Sequence, residues 1–159
     1  MKKKIDDVLK ESAVKTFEDI CYMYLEPELK DSQKNMPLDA MAEVKFKGAF
    51  NGKLTIESRG DLYSAVAANM LSHDHPSAQQ KKDALGEIAN IICGNIVPSI
   101  AHRKGLGYKI ESPLSFDKDH LPKEETIKPL VEVTLNFNRG RADIKLFVEN
   151  YNPAQEIKD

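Results

Sequence analysis

Three hydrogen-bonding side chains stand at regular intervals in one stretch of the chain. Asp83, Glu87 and Asn90 are separated by four and then by three residues. On an α-helix with about 3.6 residues per turn, these intervals place the three side chains in a stripe along one face. Two carboxylates and an amide in such a stripe can dock on a partner. The amide can also orient a water molecule, because it both donates and accepts hydrogen bonds.

The stripe also has an ordinary interpretation, since acids and amides on an exposed helix face are usually solvated surface. Two neighbouring features favour a function. Gly86 lies in mid-helix, where glycine costs roughly 1 kcal/mol relative to alanine. The small residues Gly86, Ala89 and Gly94 would let the backbone of another protein approach the stripe.

Other catalytic and metal-binding patterns have little support in the sequence. There is no Gly-x-Ser-x-Gly motif, and neither Cys21 nor Cys93 has a histidine nearby in sequence, so nucleophilic catalysis is not indicated. No Walker-type lysine follows a glycine-rich loop. His73 and His75 alternate before Pro76 without a second ligand cluster, which indicates a loop and no metal site.

The composition is typical of a soluble globular protein. The 159 residues suffice for a sizeable core, and we expect a single domain over residues 1–159 with a frayed tail from about residue 152. A net charge of −2 provides no basic field for nucleic acid or an anionic membrane. Without a membrane-spanning run or a signal-peptide pattern, and with two cysteines expected to be buried free thiols, the chain is predicted to be cytoplasmic.

The stripe must be positioned by a long amphipathic helix, which we predict from Ser77 to about Lys104. Ser77 and Gln80 form a capping-box pattern at its start. Pro98 predicts a bend or an early end, because proline cannot donate to the preceding turn. The apolar face consists of Leu85, Ile88, Ile92, Ile96 and Ile100.

A helix and a hairpin occupy the first third of the chain. Apolar residues recur at helical spacing from Lys4 to Tyr24, and the charged stretch from Pro27 to Pro37 is predicted to be a loop. Residues alternate between apolar and polar from Ala42 to Ser58. Asn51 and Gly52 between the two arms predict a type I′ turn.

A second helix and a short strand flank the long helix. Ser58 is predicted to cap the second helix, with Asp61 in a capping-box variant, and this helix continues to about Ser72. After the long helix, Tyr108 to Ser112 is a short strand candidate. The charged stretch from Ser115 to Lys128 is predicted to be a loop.

A second hairpin, with arms Val131 to Phe137 and Arg141 to Glu149, ends the predicted fold. The two hairpins suggest a helix-plus-hairpin unit that is used twice. We therefore predict an α+β fold, in which two hairpins and a short strand form one antiparallel sheet and the helices pack on one face.

The stripe and a distant proline resemble the signature of the CheC/CheX/FliY family of chemotaxis phosphatases. That signature is Asp or Ser, three residues, Glu, two residues, Asn, twenty-two residues and Pro. Asp83, Glu87, Asn90 and Pro113 stand at the matching positions of this chain. The order of elements is also similar over nearly the whole chain.

The resemblance is to the CheX-like members in particular. CheC-like members carry the motif on both unit helices, whereas CheX-like members keep one. In the first helix of this chain the nearest counterpart has Glu18, but Cys21 replaces the asparagine, so a second site is not expected.

The resemblance implies a phosphatase for a phosphorylated CheY-like response regulator. Asn90 would orient a water molecule for attack on the aspartyl phosphate, and Glu87 would pair with a lysine of the regulator. Asp83 and Pro113 would support the motif. The Mg²⁺ would belong to the regulator, so the chain itself would bind no metal or cofactor. CheX-like proteins form homodimers through sheet edges, and Val131 to Glu149 could supply such an edge.

A non-enzymatic binding module is the alternative, in which the same face docks a receiver domain or a flagellar-motor component without hydrolysis. The amide at Asn90 favours the phosphatase, because docking alone does not require an amide at that position.

Overall fold

One antiparallel sheet of six strands carries helices on one face in the computed structural model, which describes residues 4–27, 31–101 and 107–151. The strands are β1 (Leu38–Gly48), β2 (Gly52–Arg59), β3 (Tyr108–Ile110), β4 (Leu114–Asp117), β5 (Val131–Phe137) and β6 (Gly140–Val148). The helices are α1 (Ile5–Cys21), α2 (Asp31–Lys34), α3 (Leu62–Leu71) and α4 (Ala78–Ala101). The predicted α+β fold is confirmed.

The two predicted hairpins lie side by side in the sheet. The strand order is β3-β1-β2-β6-β5, so β2 and β6 join the β1–β2 hairpin to the β5–β6 hairpin. The outer edge of β1 is shared, because β3 pairs with its end at Phe46–Gly48 and β4 pairs with its first half at Ala40–Glu43. β4 is the strand that runs beside the helix bearing the stripe.

The core lies between the sheet and the helices α1, α3 and α4. The predicted apolar face of α4 is buried, and its five residues are at most 1% exposed. Each such side chain contributes about 1.5–3 kcal/mol relative to an exposed one. Cys21 and Cys93 are buried free thiols, as predicted, and burial raises the pKa of each to about 12. Within the described ranges, no helix combines the length and the apolar character that a membrane span requires.

The first helix ends at Cys21, three residues before the predicted end at Tyr24. Tyr22 adopts a left-handed backbone conformation with a φ of 53°. Met23 is then buried while Tyr24 is 64% exposed, and Leu25 bridges to Phe137 at the edge of the sheet. Burial and exposure thus alternate from Met23 to Tyr24, because the chain is extended here. The spacing of the apolar residues in the sequence also fits a helix, which is why the helix is predicted to continue.

The predicted cap at Ser58 is wrong. Ser58 is fully buried in β2, where it pairs with Ala40 and Ala142 of the neighbouring strands. The chain leaves the sheet later, at Gly60, whose φ of +68° favours glycine, and α3 begins at Leu62. Sheet pairing on both sides therefore overrides the local capping pattern.

The predicted type I′ turn is also wrong. Of the two turn residues, Asn51 lies outside the positive-φ region and Gly52 already belongs to β2. The positive φ occurs at Gly48, and its N–H donates to Oδ1 of Asn51 at 3.3 Å. The hairpin turn is therefore wider than two residues, and β1 extends back to Leu38.

Several short elements and one helix end differ from the predictions. The predicted loops contain α2 and β4, which are too short to show periodicity. α4 passes through Pro98 and reaches Ala101, so the predicted early end is wrong. The predicted helix end at Lys104 and the tail from Asn152 lie outside the described residues.

Candidate functional site

A capping box fixes the start of α4, as predicted. The N–H of Ser77 donates to Oε1 of Gln80 at 2.8 Å, and the N–H of Gln80 donates to Oγ of Ser77 at 3.1 Å. Two backbone donors that the helix leaves unpaired are thereby satisfied. The side chain of Gln79 then donates to Oδ1 of Asp83 at 2.8 Å, which holds the first acid of the stripe against the same turn.

The stripe faces solvent over its whole length. Asp83 and Glu87 are exposed and Asn90 is partly exposed, while the neighbouring Leu85 and Ile88 are fully buried. Among the residues that the structure describes, the side chains of Glu87 and Asn90 form no hydrogen bond or ion pair. A carboxylate and an amide on one rigid face are therefore available to a partner.

Pro113 lies against α4 beside the stripe. A Cβ built on Gly86 would stand 3.4 Å from Cβ and Cγ of Pro113 and 3.2 Å from Oγ of Ser115. Gly86 is thus buried against its own chain. The motif proline and the stripe are brought together through this glycine.

The prediction that small residues open α4 to another backbone is wrong at two positions. Gly86 is covered by Pro113, and Ala89 is fully buried. Gly94 is partly exposed, with no atom within 4 Å of the place where a Cβ would stand. Only Gly94 of the three leaves open space, one helical turn beyond Asn90.

A charged cluster links the first turns of α4 to the end of β4. Nζ of Lys82 lies 3.8 Å from a carboxylate oxygen of Asp117, and Nδ1 of His120 lies 2.7 Å from the other. The hydrogen bond with His120 lowers the pKa of Asp117. The structure thus pairs His120 with Asp117, three residues earlier. The contact between Lys82 and Asp117 therefore joins α4 to β4 close to the stripe.

The first helix holds no second copy of the stripe. Cys21, at the position of the asparagine, is fully buried, and its carbonyl accepts a hydrogen bond from Nδ2 of Asn69 at 2.9 Å. Glu18 is partly exposed on the same helix. Because this thiol is buried, the candidate site on α4 has no exposed counterpart at the matching position of α1.

The loop between α3 and α4 carries two of the histidines considered above as metal ligands. His73 and His75 are both exposed, and the N–H of His75 donates to Nδ1 of His73 at 3.3 Å. Across residues 4–27, 31–101 and 107–151, no three His, Cys, Asp or Glu side chains cluster in a way that could hold a metal ion.

Sequence reasoning missed Ser115 and Gln79. Oγ of Ser115 donates to the carbonyl oxygen of Lys82 at 2.7 Å, across 33 positions of sequence. No local pattern signals a contact of this kind. Gln79 stands four residues before Asp83 on a helix, a spacing at which side chains commonly pair, so this contact could have been found.

Comparison with known proteins places the site in a family. The family described as "Chemotaxis phosphatase CheX" matches residues 40–134, which include the whole stripe and Pro113. No curated protein matches the sequence. Among solved structures, CheX from Desulfovibrio desulfuricans is similar with a TM-score of 0.73 at 20% identity, over 91% of this chain and 99% of that one.

Two further structures share the fold. A chain of the CheX–CheY–BeF₃–Mg²⁺ complex from Borrelia burgdorferi has a TM-score of 0.66 at 17% identity, over 92% of this chain and 99% of that one. FliY from Thermotoga maritima has a TM-score of 0.58 at 14% identity, over 92% of this chain and 87% of that one. Because the family match spans more than half of the 159 residues, the chain belongs to the chemotaxis phosphatase CheX family.

Proposed function

We propose that this protein hydrolyses the aspartyl phosphate of a CheY-like response regulator, in chemotaxis or a related two-component pathway. The observation that carries the proposal is the position of Glu87 and Asn90 on the exposed face of a capped helix, where neither side chain is paired among the described residues. Family membership supports it, and so does the Borrelia burgdorferi complex, in which a CheX of the same fold is bound to CheY.

The Asn90 amide would perform the central step by positioning water. Water attacks the phosphorus atom, the bond from phosphorus to the aspartyl oxygen breaks, and the products are inorganic phosphate and a free carboxylate. Because that carboxylate is already a good leaving group, the reaction needs a positioned water more than a strong base. A neutral amide orients the water without placing a second negative charge beside the phosphate. The Mg²⁺ that balances the phosphoryl charge belongs, in this proposal, to the phosphorylated regulator.

Glu87 would fix the orientation in which the response regulator binds to α4. Its exposed carboxylate stands three residues before Asn90, so both side chains can reach one partner from the same helix face. An ion pair with a lysine of the regulator would set the distance between Asn90 and the phosphate. In this assignment Asp83, held by Gln79, and Pro113, packed on the helix, support the two acting residues.

Glu87→Ala is expected to lower kcat/KM for a phosphorylated CheY-like receiver by roughly tenfold, mainly through KM, because a docking charge pair is lost. Steady-state phosphate release measures the change. Glu18→Ala is the matched control, since Glu18 is the counterpart on α1, and it should retain the wild-type rate. Equal losses of kcat/KM in the two variants would contradict a specific binding role for the α4 carboxylate.

Docking without hydrolysis is distinguished by measuring two properties of the same receiver. The proposal expects the protein to bind the phosphorylated receiver and to shorten the lifetime of its phosphate. Binding to the receiver with an unchanged phosphate lifetime would establish the non-enzymatic module instead.

We also propose a homodimer through the outer edge of β5. β6 pairs with β2 on one side and β5 on the other, so it has no free edge and only part of the region from Val131 to Glu149 can serve. In the described chain, β5 pairs with β6 on one side, and the segment of Leu25 and Glu26 meets the end of its other side at Asn136 and Phe137. Sedimentation equilibrium should give twice the mass of the chain. Replacement of Thr134 by proline should then reduce it to the monomer mass if this edge is the interface.

A further inference from the structure

We infer that Ser115 is a positioning residue for the Asn90 amide and acts through the backbone of α4. This inference rests on the proposed function and adds a residue outside the family signature. Gly86, Pro113 and Ser115 are together called the α4 clamp. At the clamp, Pro113, which precedes β4, and Ser115, which lies in β4, contact the helix that carries the stripe.

The clamp works because position 86 has no side chain. Oγ of Ser115 donates to the carbonyl oxygen of Lys82 at 2.7 Å. In an α-helix this same carbonyl accepts the N–H of the residue four positions later, which is Gly86. A Cβ at Gly86 would stand 3.2 Å from Oγ of Ser115 and 3.4 Å from two ring carbons of Pro113. The absence of that Cβ therefore opens the path by which the hydroxyl reaches the helix backbone.

The clamp restrains the turn that most needs restraint. Glycine has more backbone freedom than any other residue and weakens a helix relative to alanine. Gly86 directly precedes Glu87 and lies one turn before Asn90. Without an external contact, the backbone at Gly86 would be free to move, and the positions of Glu87 and Asn90 relative to each other would be less well fixed.

The sheet supplies the fixed end of the clamp. Ser115 pairs with Ala42 of β1, and its neighbours in β4 continue the same ladder. Ala42 is fully buried in the core. A hydroxyl anchored in this ladder ties the Lys82–Gly86 turn to the rigid layer of the fold. The ion pair between Lys82 and Asp117 spans the same two elements at 3.8 Å.

Loss of the clamp should affect chemistry more than docking. Orienting water for in-line attack tolerates displacements of only a fraction of an ångström, whereas a charge pair between exposed side chains can adjust. We therefore expect changes at the clamp to lower kcat and leave KM nearly unchanged. Glu87→Ala is expected to show the opposite effect, with KM raised and kcat nearly unchanged.

Two substitutions break the clamp from opposite sides. Ser115→Ala removes the hydroxyl. Gly86→Ala places a Cβ 3.2 Å from it, so the hydroxyl must shift by a few tenths of an ångström, while the helix propensity of the turn rises. Each is expected to lower kcat on a phosphorylated CheY-like receiver by roughly three- to tenfold. Because both act on the same contact, the double variant should be no slower than the slower single variant. Ser115→Thr keeps the hydroxyl and should restore kcat.

Ser58→Ala is the matched control. It also removes a serine hydroxyl from a strand, but this hydroxyl is buried and has no hydrogen-bond partner among the described residues. Its kcat should equal that of the wild type. Wild-type kcat in folded Ser115→Ala and Gly86→Ala would overturn the inference, as would multiplied losses in the double variant or a Ser115→Thr variant as slow as Ser115→Ala.

Amide hydrogen exchange provides a readout that does not involve a receiver. Ser115→Ala should speed exchange of the Gly86 amide, and Ser115→Thr should not. If the wild type removes phosphate but neither kcat nor exchange responds, the clamp is wrong and the proposed function stands. If exchange responds but the wild type leaves every phosphorylated receiver unchanged, the proposed function is wrong and Ser115 has no catalytic positioning role.

Discussion

Asn90→Ala is expected to slow the removal of phosphate from a phosphorylated CheY-like receiver by about a hundredfold or more, because the attacking water loses the group that aligns it. The fold should survive, since the Asn90 side chain is partly exposed and forms no hydrogen bond among the described residues. Phosphate release at saturating receiver measures the loss, and circular dichroism verifies the fold.

Asn95→Ala is the matched control for that loss. Asn95 is an exposed asparagine on the same helix, but it lies five positions beyond Asn90 and therefore points away from the stripe. It should keep the wild-type rate. Wild-type rates in both Asn90→Ala and Glu87→Ala would show that the site is assigned to the wrong residues.

Asp143→Ala is expected to give the largest loss of stability, about 3–5 kcal/mol, because it removes the buried carboxylate that two half-buried arginines share. Arg59 retains its ion pair with Glu57 at 3.0 Å. Asp143 is 3% exposed and lies on the sheet face away from α4. It accepts hydrogen bonds from Arg59 at 2.8 Å, from Arg141 at 2.8 and 3.0 Å, and from Thr134 at 2.9 Å. Urea denaturation at neutral pH measures the change in the free energy of unfolding.

The two arginines extend the effect of Asp143 beyond the sheet. Arg59 also donates to the carbonyl of Met36, and Arg141 donates to the carbonyls of Gln33 and Lys34. Asp143 thus orients both side chains that hold α2 and the segment leading into β1. Its removal loosens these contacts together with the ion pairs.

The stability due to Asp143 depends on pH in a defined direction. Burial tends to raise the pKa of its carboxyl group, but the hydrogen bonds from Arg141, Thr134 and Arg59 outweigh burial and lower it. A lowered pKa in the folded state gives stability that is present above the unfolded value of about 3.9 and is lost as pH falls through the folded value. The difference between wild type and Asp143→Ala should therefore be constant near neutrality and shrink below about pH 4.

Asp61→Ala provides the control for Asp143→Ala. Asp61 also pairs with an arginine, Arg139, at 2.7 Å, but the two side chains are 56% and 46% exposed. Its removal should cost less than about 1 kcal/mol, because solvent screens an exposed pair. Similar losses in Asp61→Ala and Asp143→Ala would contradict the importance of burial.

The sequence predicts most of what positions the stripe. The capping box at Ser77, the apolar face of α4 and the alternation in both hairpins are local patterns, and the structure has each of them. The fixed interval between Asn90 and Pro113 gives the family resemblance. Local periodicity is enough here because the elements are long and strongly amphipathic.

The features that the sequence does not predict depend on contacts between segments that are distant in the chain. Ser58 has the local signal of a helix cap, but pairing on both sides keeps it in β2. β4 is four residues long and is defined by its pairing with β1. The small residue Gly86 suggests a surface open to a partner, yet Pro113 and Ser115 of the same chain occupy that space. The local sequence around each of these residues does not reveal which distant segment packs against it.

The most direct test of the proposed function is phosphate release from an excess of phosphorylated CheY-like receiver, with this protein at one-tenth of the receiver concentration and Mg²⁺ present. We predict complete loss of phosphate at a rate well above that of the receiver alone, which requires each molecule of this protein to act many times. An unchanged rate, or a burst limited to one phosphate per molecule of this protein, would contradict a phosphatase.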